Sequence, residues 1–250
     1  MNTLSTLEGQ TALVTGSARR IGAEIVRQLH SAGARVAIHH RSSIVEAETL
    51  RDELNAIRPD SAAIFAADLL GTDKLQDLVD SVVSWSGGLD ILVNNASSFY
   101  PTPIGTVTES NWHDLIGSNL KAPLFLTQAA HSHLRARNGR VVNIVDIHAR
   151  RPLAGHLVYG PAKAALEMLT RSLAKELAPE VRVNGVSPGA ILWPESGMSD
   201  ADRDSILKQI PLARTGSPED IAGCALWLIR DATYVTGQVI AIDGGRSLGW

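Results

Sequence analysis

Seven short runs of apolar and β-branched residues alternate along this chain with longer segments of helical spacing, and that alternation constrains the fold most. The runs lie at Thr11–Thr15, Arg35–His39, Ala62–Ala66, Asp90–Val93, Val141–Val145, Val181–Val186 and Gln238–Ile242. Between them the spacing predicts helices over Ile21–Ala32, Ile44–Ile57, Thr72–Trp85, Glu109–Arg135 with a break near Pro123, Val158–Leu177 and Pro218–Ile229. A crossover helix returns the chain to the same end of the sheet before each new strand, so the strands run parallel. The expected class is α/β: a single-domain, doubly wound parallel sheet of seven strands flanked by helices. Leu192–Ser217 breaks the rhythm with Trp193, Pro194, Gly197, Met198 and Pro211, and is expected to be a loop covering a binding site.

Composition narrows the setting. At 250 residues the chain is long enough for one large domain with a real core, and no Pro/Gly/Ser-rich linker or charge block divides it. A net charge of −3 provides no electrostatic reason to expect nucleic acid or an anionic membrane. The single cysteine, Cys224, excludes an internal disulfide, sits in an apolar helical run as a small core residue, and fits a reducing compartment. The start, MNTLSTLEGQ, lacks the basic-then-apolar pattern of a signal peptide. No apolar run approaches the ~20 residues that span a bilayer, so a cytoplasmic location is expected.

The first strand runs directly into Gly16-Ser17-Ala18-Arg19-Arg20-Ile21-Gly22. A glycine turn between a first strand and a first helix sets backbone N–H groups and a helix N-terminus against a pyrophosphate. The second strand's end then discriminates between dinucleotides. A 2′-hydroxyl calls for a carboxylate there. This chain has His39-His40-Arg41-Ser42-Ser43, with no acid before Glu46. A guanidinium and hydroxyls suit a 2′-phosphate, so the expected cofactor is NADPH. Adjacent histidines on a strand point to opposite faces, and no metal site is expected.

A second cluster spans Val141–Leu166. Asp146 stands at a strand end, where open α/β sheets bind ligands. Tyr159 and Lys163 are four apart and share one face of a helix. An ammonium beside a phenol favours the phenolate, which would bring the phenol toward its working range. His148 and His156 flank the intervening loop and are expected to face solvent. Arg150-Arg151 suits either solvent or an acidic substrate tail.

With Thr15-Gly16, Asp68, Asn94-Asn95-Ala96, Asn119, Tyr159-x-x-x-Lys163, Asn184, Pro188-Gly189 and Asp243-Gly244-Gly245 in order, the chain resembles the Rossmann-like short-chain dehydrogenases/reductases over nearly its whole length. The resemblance implies that Gly16, Arg20, Ile21, Asp68, Leu69, Asn94, Ala96, Lys163, Pro188 and Gly189 bind the cofactor, with His40, Arg41 and Ser42. It implies that Tyr159 donates the proton and that Asn119 holds a water linking Lys163 to solvent. It also implies a homotetramer, built on the helices around Trp112 and Tyr159 and on the last strand.

Three departures from the family pattern narrow the chemistry. The usual active-site serine is Asp146, the Asn-Asn-Ala-Gly segment ends in Ser97, and the middle turn glycine is Arg20. All three resemble the pteridine reductases, which implies a pterin pocket lined by Arg20, Ser97 and Phe99, with Trp193 over it and Asp146 and Tyr159 in the proton path. Physics agrees: an ionised carboxylate repels a developing oxyanion but favours protonation of an imine nitrogen. The expected reaction is NADPH-dependent reduction of a pterin or folate C=N bond. The rival is a carbonyl reductase acting on a ketone such as a 3-oxoacyl thioester, which should want serine at 146. A nucleotide-sensing protein without turnover would have little need of Tyr159, Lys163 and Asn119.

Overall fold

Alternate residues of a strand face opposite sides of a sheet, and here both sides are apolar. Ala12 and Val14 of β1 (Thr11–Val14) join one core cluster, while Leu13 between them joins another. The same division holds in β2 (Arg35–His40), where Val36 and Ile38 oppose Ala37. The remaining strands are β3 (Ala62–Ala66), β4 (Ile91–Asn94), β5 (Arg140–Ile144), β6 (Arg182–Pro188) and β7 (Val239–Ile242). A computed structural model describes residues 6–193 and 199–249.

The seven strands form one sheet in the order β3-β2-β1-β4-β5-β6-β7, every pair parallel. The helices are α1 (Arg20–Ser31), α2 (Ile44–Ile57), α3 (Leu75–Ser86), α4 (Glu109–Ile116), α5 (Ala122–Ala136), α6 (Tyr159–Leu177), α7 (Asp200–Lys208) and α8 (Pro218–Arg230). Leucines and isoleucines of α1, α2 and α8 cover one face. Those of α3, α5 and α6 cover the other. The chain moves outward from β1 to β3 and then returns to β1's other side as β4. That reversal opens a crevice at the strands' carboxyl ends.

The expected α/β doubly wound architecture is the one observed, with strand limits shifted by at most two residues. The break expected near Pro123 in the helix over Glu109–Arg135 is a π-helical turn at Gly117–Lys121. Two local features differ. A 3₁₀ turn, Thr72–Lys74, precedes α3. The expected loop over Leu192–Ser217 contains α7. Ser199 caps it: its Oγ accepts the Asp202 N–H at 3.1 Å, and Asp202 Oδ2 accepts the Ser199 N–H at 3.2 Å. This capping box was readable in Ser199-Asp200-Ala201-Asp202. Pro194, Gly197 and Met198 lie outside the described residues.

Gly22 shows how closely α1 sits on the sheet edge. A Cβ there would lie 2.5 Å from Asn95 Nδ2 and 2.6 Å from the Gly16 carbonyl oxygen. Gly22→Ala should therefore destabilise the fold by about 1–3 kcal/mol. Thermal unfolding should show it as a melting temperature lowered by roughly 2–4 °C per kcal/mol.

Candidate active site

The turn from β1 into α1 is held from the side by the end of β4. Thr15 Oγ1 accepts the N–H groups of Asn95 (2.9 Å) and Ala96 (3.0 Å). Asn95 Nδ2 donates to the carbonyls of Thr15 (2.8 Å) and Gly16 (3.0 Å). Gly16 has φ +58°, and a Cβ there would meet Ala96 Cα at 2.9 Å. Arg20 also has a left-handed backbone, φ +56°. That conformation suits the glycine the family carries, and a side chain there costs about 1–2 kcal/mol. The arginine is therefore kept against a backbone preference, its side chain exposed at the helix start. Ile21 packs against the core. The first turn of α1 carries no acid and no side-chain cap, so its N–H groups remain open to an anion.

At the end of β2, His40 is buried with its Nδ1 unpartnered, while Arg41 and Ser42 are exposed. Glu46, the next acid, is turned toward Arg19 at 3.5 Å. Asp68 is exposed after β3, its Oδ1 accepting the Leu70 N–H at 3.1 Å. The side chain of Leu69 belongs to the core, so a ligand could meet only its backbone.

The reactive groups gather at the end of β5 and the start of α6. Asp146 caps a 3₁₀ turn, Ile147–Ala149, with Oδ1 accepting the His148 N–H at 2.8 Å. Its Oδ2 accepts the Tyr159 hydroxyl at 2.8 Å. Lys163, one turn along α6, is 3% exposed and donates from Nζ to the Ile144 carbonyl at 2.9 Å. Asn119 lies in the π turn, fully buried, with Nδ2 donating to the carbonyls of Ser98 (2.9 Å) and Leu115 (3.0 Å). Its Oδ1 has no protein partner, an acceptor left for water. A single π turn widens the helix locally and recurs at functional sites.

The electrostatics overturn one expectation. Lys163 does not bring the Tyr159 phenol down. Burial, then the charge of Asp146 and its hydrogen bond, push the phenol well above its ordinary value of 10. Lys163 Nζ stands 5.7 Å from the tyrosine ring centroid and is engaged with Ile144, whereas the carboxylate touches the hydroxyl. The phenol thus holds its proton throughout the neutral range. Burial also pulls Lys163 from 10.5 down to about 8, with Asp146 opposing.

Phe99 projects over this cluster, 53% exposed, its ring edge-on to Tyr159 at 4.8 Å. His156 stacks on Phe99 at 4.8 Å and 16°, so it does not simply face solvent as expected. The two loops are tied together: the Thr102 N–H donates to Gly155 O at 2.6 Å, beside a bridge between Thr102 and His156. His148 Nδ1 lies 2.9 Å from the Arg151 carbonyl, which likewise removes it from a purely solvated role. Arg150 is bound by Glu167, with Nε to the two carboxylate oxygens at 2.8 and 3.0 Å, so it is not open to an acidic tail. Ser97 is exposed near the turn. Pro188 and Gly189 end β6, with the Gly189 N–H donating to Ile242 O at 3.0 Å. Trp193 lies beneath the Arg203 guanidinium at 5.9 Å, a contact made possible by α7.

Not every expected residue points to the cleft. The side chain of Asn94 is buried and donates to Asn143 Oδ1 at 2.8 Å, pinning β4 to β5. Its neighbour Asn95 reaches the turn instead. Arg246 was not expected at all. It is buried in the C-terminal turn, which Arg151 ties to the Asp146 loop by donating to Ser247 O at 3.1 Å. Burial lowers its guanidinium, against the pull of Asp146 and Asp243. Nothing in spacing alone links positions 146 and 246. Among the described residues no group of three or more His, Cys, Asp or Glu gathers to hold a metal ion. None of the described helices is long and apolar enough to cross a membrane.

The Lys163 shift has a direct consequence for stability. The unfolded lysine keeps its proton up to about 10.5 and the folded one loses it above about 8. Between those values the unfolded lysine binds more protons than the folded one, so the Lys163 contribution to stability rises with pH, by on the order of 3 kcal/mol for the whole window. Tyr159 and Cys224, the latter pushed by burial from 9.0 up to about 11, have the opposite slope above about pH 9, because the folded state keeps their protons. Urea unfolding from pH 8 to 10.5 should therefore show the Lys163 contribution as a stability difference from Lys163→Met that grows with pH.

Comparison with known proteins agrees with this geometry. A family model described as enoyl-(acyl carrier protein) reductase matches residues 16–247. Pteridine reductase 1 of Leishmania tarentolae is 38% identical over 278 residues, covering 95% of this chain and 96% of that protein. A 3-oxoacyl-(acyl-carrier-protein) reductase of Staphylococcus aureus is also 38% identical, over 240 residues, covering 94% of this chain and 97% of that protein. Among solved structures, a blue fluorescent protein from a metagenomic library, in complex with NADPH, superposes with a TM-score of 0.90 at 34% identity, covering 96% of this chain and 99% of that one. The chain belongs to the short-chain dehydrogenase/reductase family and is an NAD(P)-dependent oxidoreductase.

Proposed function

We propose that the protein is an NADPH-dependent pteridine reductase, acting on C=N bonds of dihydrobiopterin or dihydrofolate type. The cofactor is NADPH, and the cleft fits it. Gly16 leaves a cradle that a Cβ would close, α1 offers uncapped N–H groups, and β2 ends in His40-Arg41-Ser42 rather than an acid. In this reading Asp68, Ala96, Lys163, Pro188 and Gly189 would hold the rest. When bound, NADPH supplies the hydride.

One observation carries the substrate reading: the partner of the Tyr159 hydroxyl is a carboxylate, beneath an exposed phenyl ring. A hydroxyl at 146 could donate to an alkoxide, whereas Asp146 has only acceptors to offer and would oppose negative charge growing beside it. Positive charge growing on a ring nitrogen is favoured there. Tyr159 and Asp146 hold one proton between them, and the pair delivers it to that nitrogen. Lys163, with its value near 8, can restore the proton, and the unpartnered Asn119 Oδ1 can anchor water on the route from solvent. Phe99 supplies a flat face for a fused ring, with Arg20, Ser97 and Trp193 at its margins. A homotetramer is part of this reading, taken from the family resemblance, and the exposed apolar Trp112, Leu124 and Met168 on α4, α5 and α6 suit a contact between subunits.

A second reading, reduction of 3-oxoacyl thioesters, is favoured by the equal identity of the two curated relatives. Mixing the purified protein and NADPH with dihydrobiopterin or dihydrofolate separates them: absorbance of NADPH should fall with a pterin. No oxidation with either, alongside turnover of acetoacetyl thioesters, would overturn the proposal. Asp146→Ser should lower pterin turnover by about 100-fold or more. Phe99→Ala should raise KM for the pterin about tenfold with KM for NADPH unchanged, the loss of one stacking contact. Tyr159→Phe should abolish reduction while NADPH binding persists.

A further inference from the structure

His39 is buried, hydrogen-bonded on both sides, and absent from the chemistry above. It is the last-but-one residue of β2 and 2% exposed. Its Nδ1 accepts the Gly16 N–H at 3.0 Å, and its Nε2 lies 3.2 Å from the Ala67 carbonyl oxygen. The carbonyl can only accept, so the ring is neutral with its proton on Nε2. Backbone bonds reinforce the joint. The Ser17 N–H donates to His39 O at 2.9 Å, and Ser17 Oγ accepts the His39 N–H at 3.2 Å while donating to Val14 O at 2.7 Å.

Three cofactor-facing segments therefore meet at one imidazole. They are the turn after β1, the end of β2 where His40-Arg41-Ser42 follow, and Ala67-Asp68 after β3. We infer that His39 is a positioning residue for the adenosine half of the dinucleotide, its two-sided hydrogen bond setting the spacing between the phosphate-facing turn and the segments that meet the adenine and 2′-phosphate. Glycine samples many backbone conformations, and Gly16 sits in a left-handed one. A fixed acceptor on its N–H removes that freedom before any ligand arrives, which lowers the ordering cost of binding. Burial pulls the imidazole down to about 4 against the Ala67 and Asp68 contacts, with His40 adding to the lowering, so the neutral ring persists at physiological pH. A leucine of similar bulk would fill the space and leave the Gly16 N–H and Ala67 carbonyl unpaired.

Direct binding titrations of NADPH and NADH test this. His39→Leu should raise Kd for NADPH about tenfold, the cost of losing both hydrogen bonds and freeing the Gly16 turn, and weaken NADH less. His39→Asn, whose side-chain oxygen reaches the place of Nδ1 but which offers no donor to the Ala67 carbonyl, should fall between the leucine variant and the unsubstituted protein, about threefold weaker than the latter. Equal losses for NADPH and NADH in His39→Leu, or a His39→Asn variant as weak as the leucine one, would overturn the inference. Should His39→Leu not fold, the ¹⁵N shifts of the His39 ring in the unsubstituted protein decide. A neutral ring protonated at Nε2 at pH 7, with and without NADPH, is expected, and a proton on Nδ1 would sink the idea.

Discussion

Because every strand of the sheet runs parallel, all seven carboxyl ends emerge along one edge, and the groups with chemical capacity stand there. Thr15 and Gly16 leave β1, His40 and Arg41 leave β2, Asn95 and Ala96 leave β4, Asp146 follows β5 and Pro188 closes β6. The sheet's interior supplies the precision. Asn94, Asn143 and Thr170 form a buried hydrogen-bonded chain from β4 through β5 to α6, which holds the helix bearing Tyr159 and Lys163 in register with the strand bearing Asp146. The side chain of Asn94, a position the family resemblance assigns to the cofactor, thus serves the scaffold.

The reactive cluster is an exercise in opposed charges within a dry site. Burial first, and then the Asp146 carboxylate that touches the hydroxyl, keep Tyr159 protonated against the more distant ammonium. That makes the tyrosine a store of a proton rather than a ready base. Lys163 is buried enough that its own proton is held loosely, which equips it to refill the store. The result differs from a serine–tyrosine site in sign: the pocket tolerates developing positive charge on a substrate nitrogen better than developing negative charge on an oxygen.

Overall similarity does not distinguish these chemistries. A pteridine reductase and a 3-oxoacyl reductase are equally identical to this chain. Identity is summed over a scaffold that both share, whereas in the proposed reading substrate choice rests on a few side chains, Arg20, Ser97, Phe99 and Asp146. Arg20 is the instructive case. It occupies a left-handed backbone position that costs a side-chain-bearing residue about 1–2 kcal/mol, and its side chain is exposed at the helix start.

Local pattern by itself determined the strands, most of the helices, the parallel class and the glycine turn, because each rests on hydrophobic period and on residues near one another in sequence. It also placed Asp146, Tyr159 and Lys163 together, since they span one strand–loop–helix unit. Helix α7 was legible in its capping box but was outweighed by the surrounding prolines and glycines. Only the tertiary structure decided that burial and Asp146 rather than Lys163 set the state of Tyr159, that His156 backs Phe99, that Glu167 holds Arg150, and that Arg246 comes within electrostatic reach of Asp146. Each of these depends on distance and burial between segments that no spacing rule connects. His39 belongs to both accounts: its place before the basic cluster was plain, but its bond to Gly16 exists only because β1 and β2 are neighbours in the sheet.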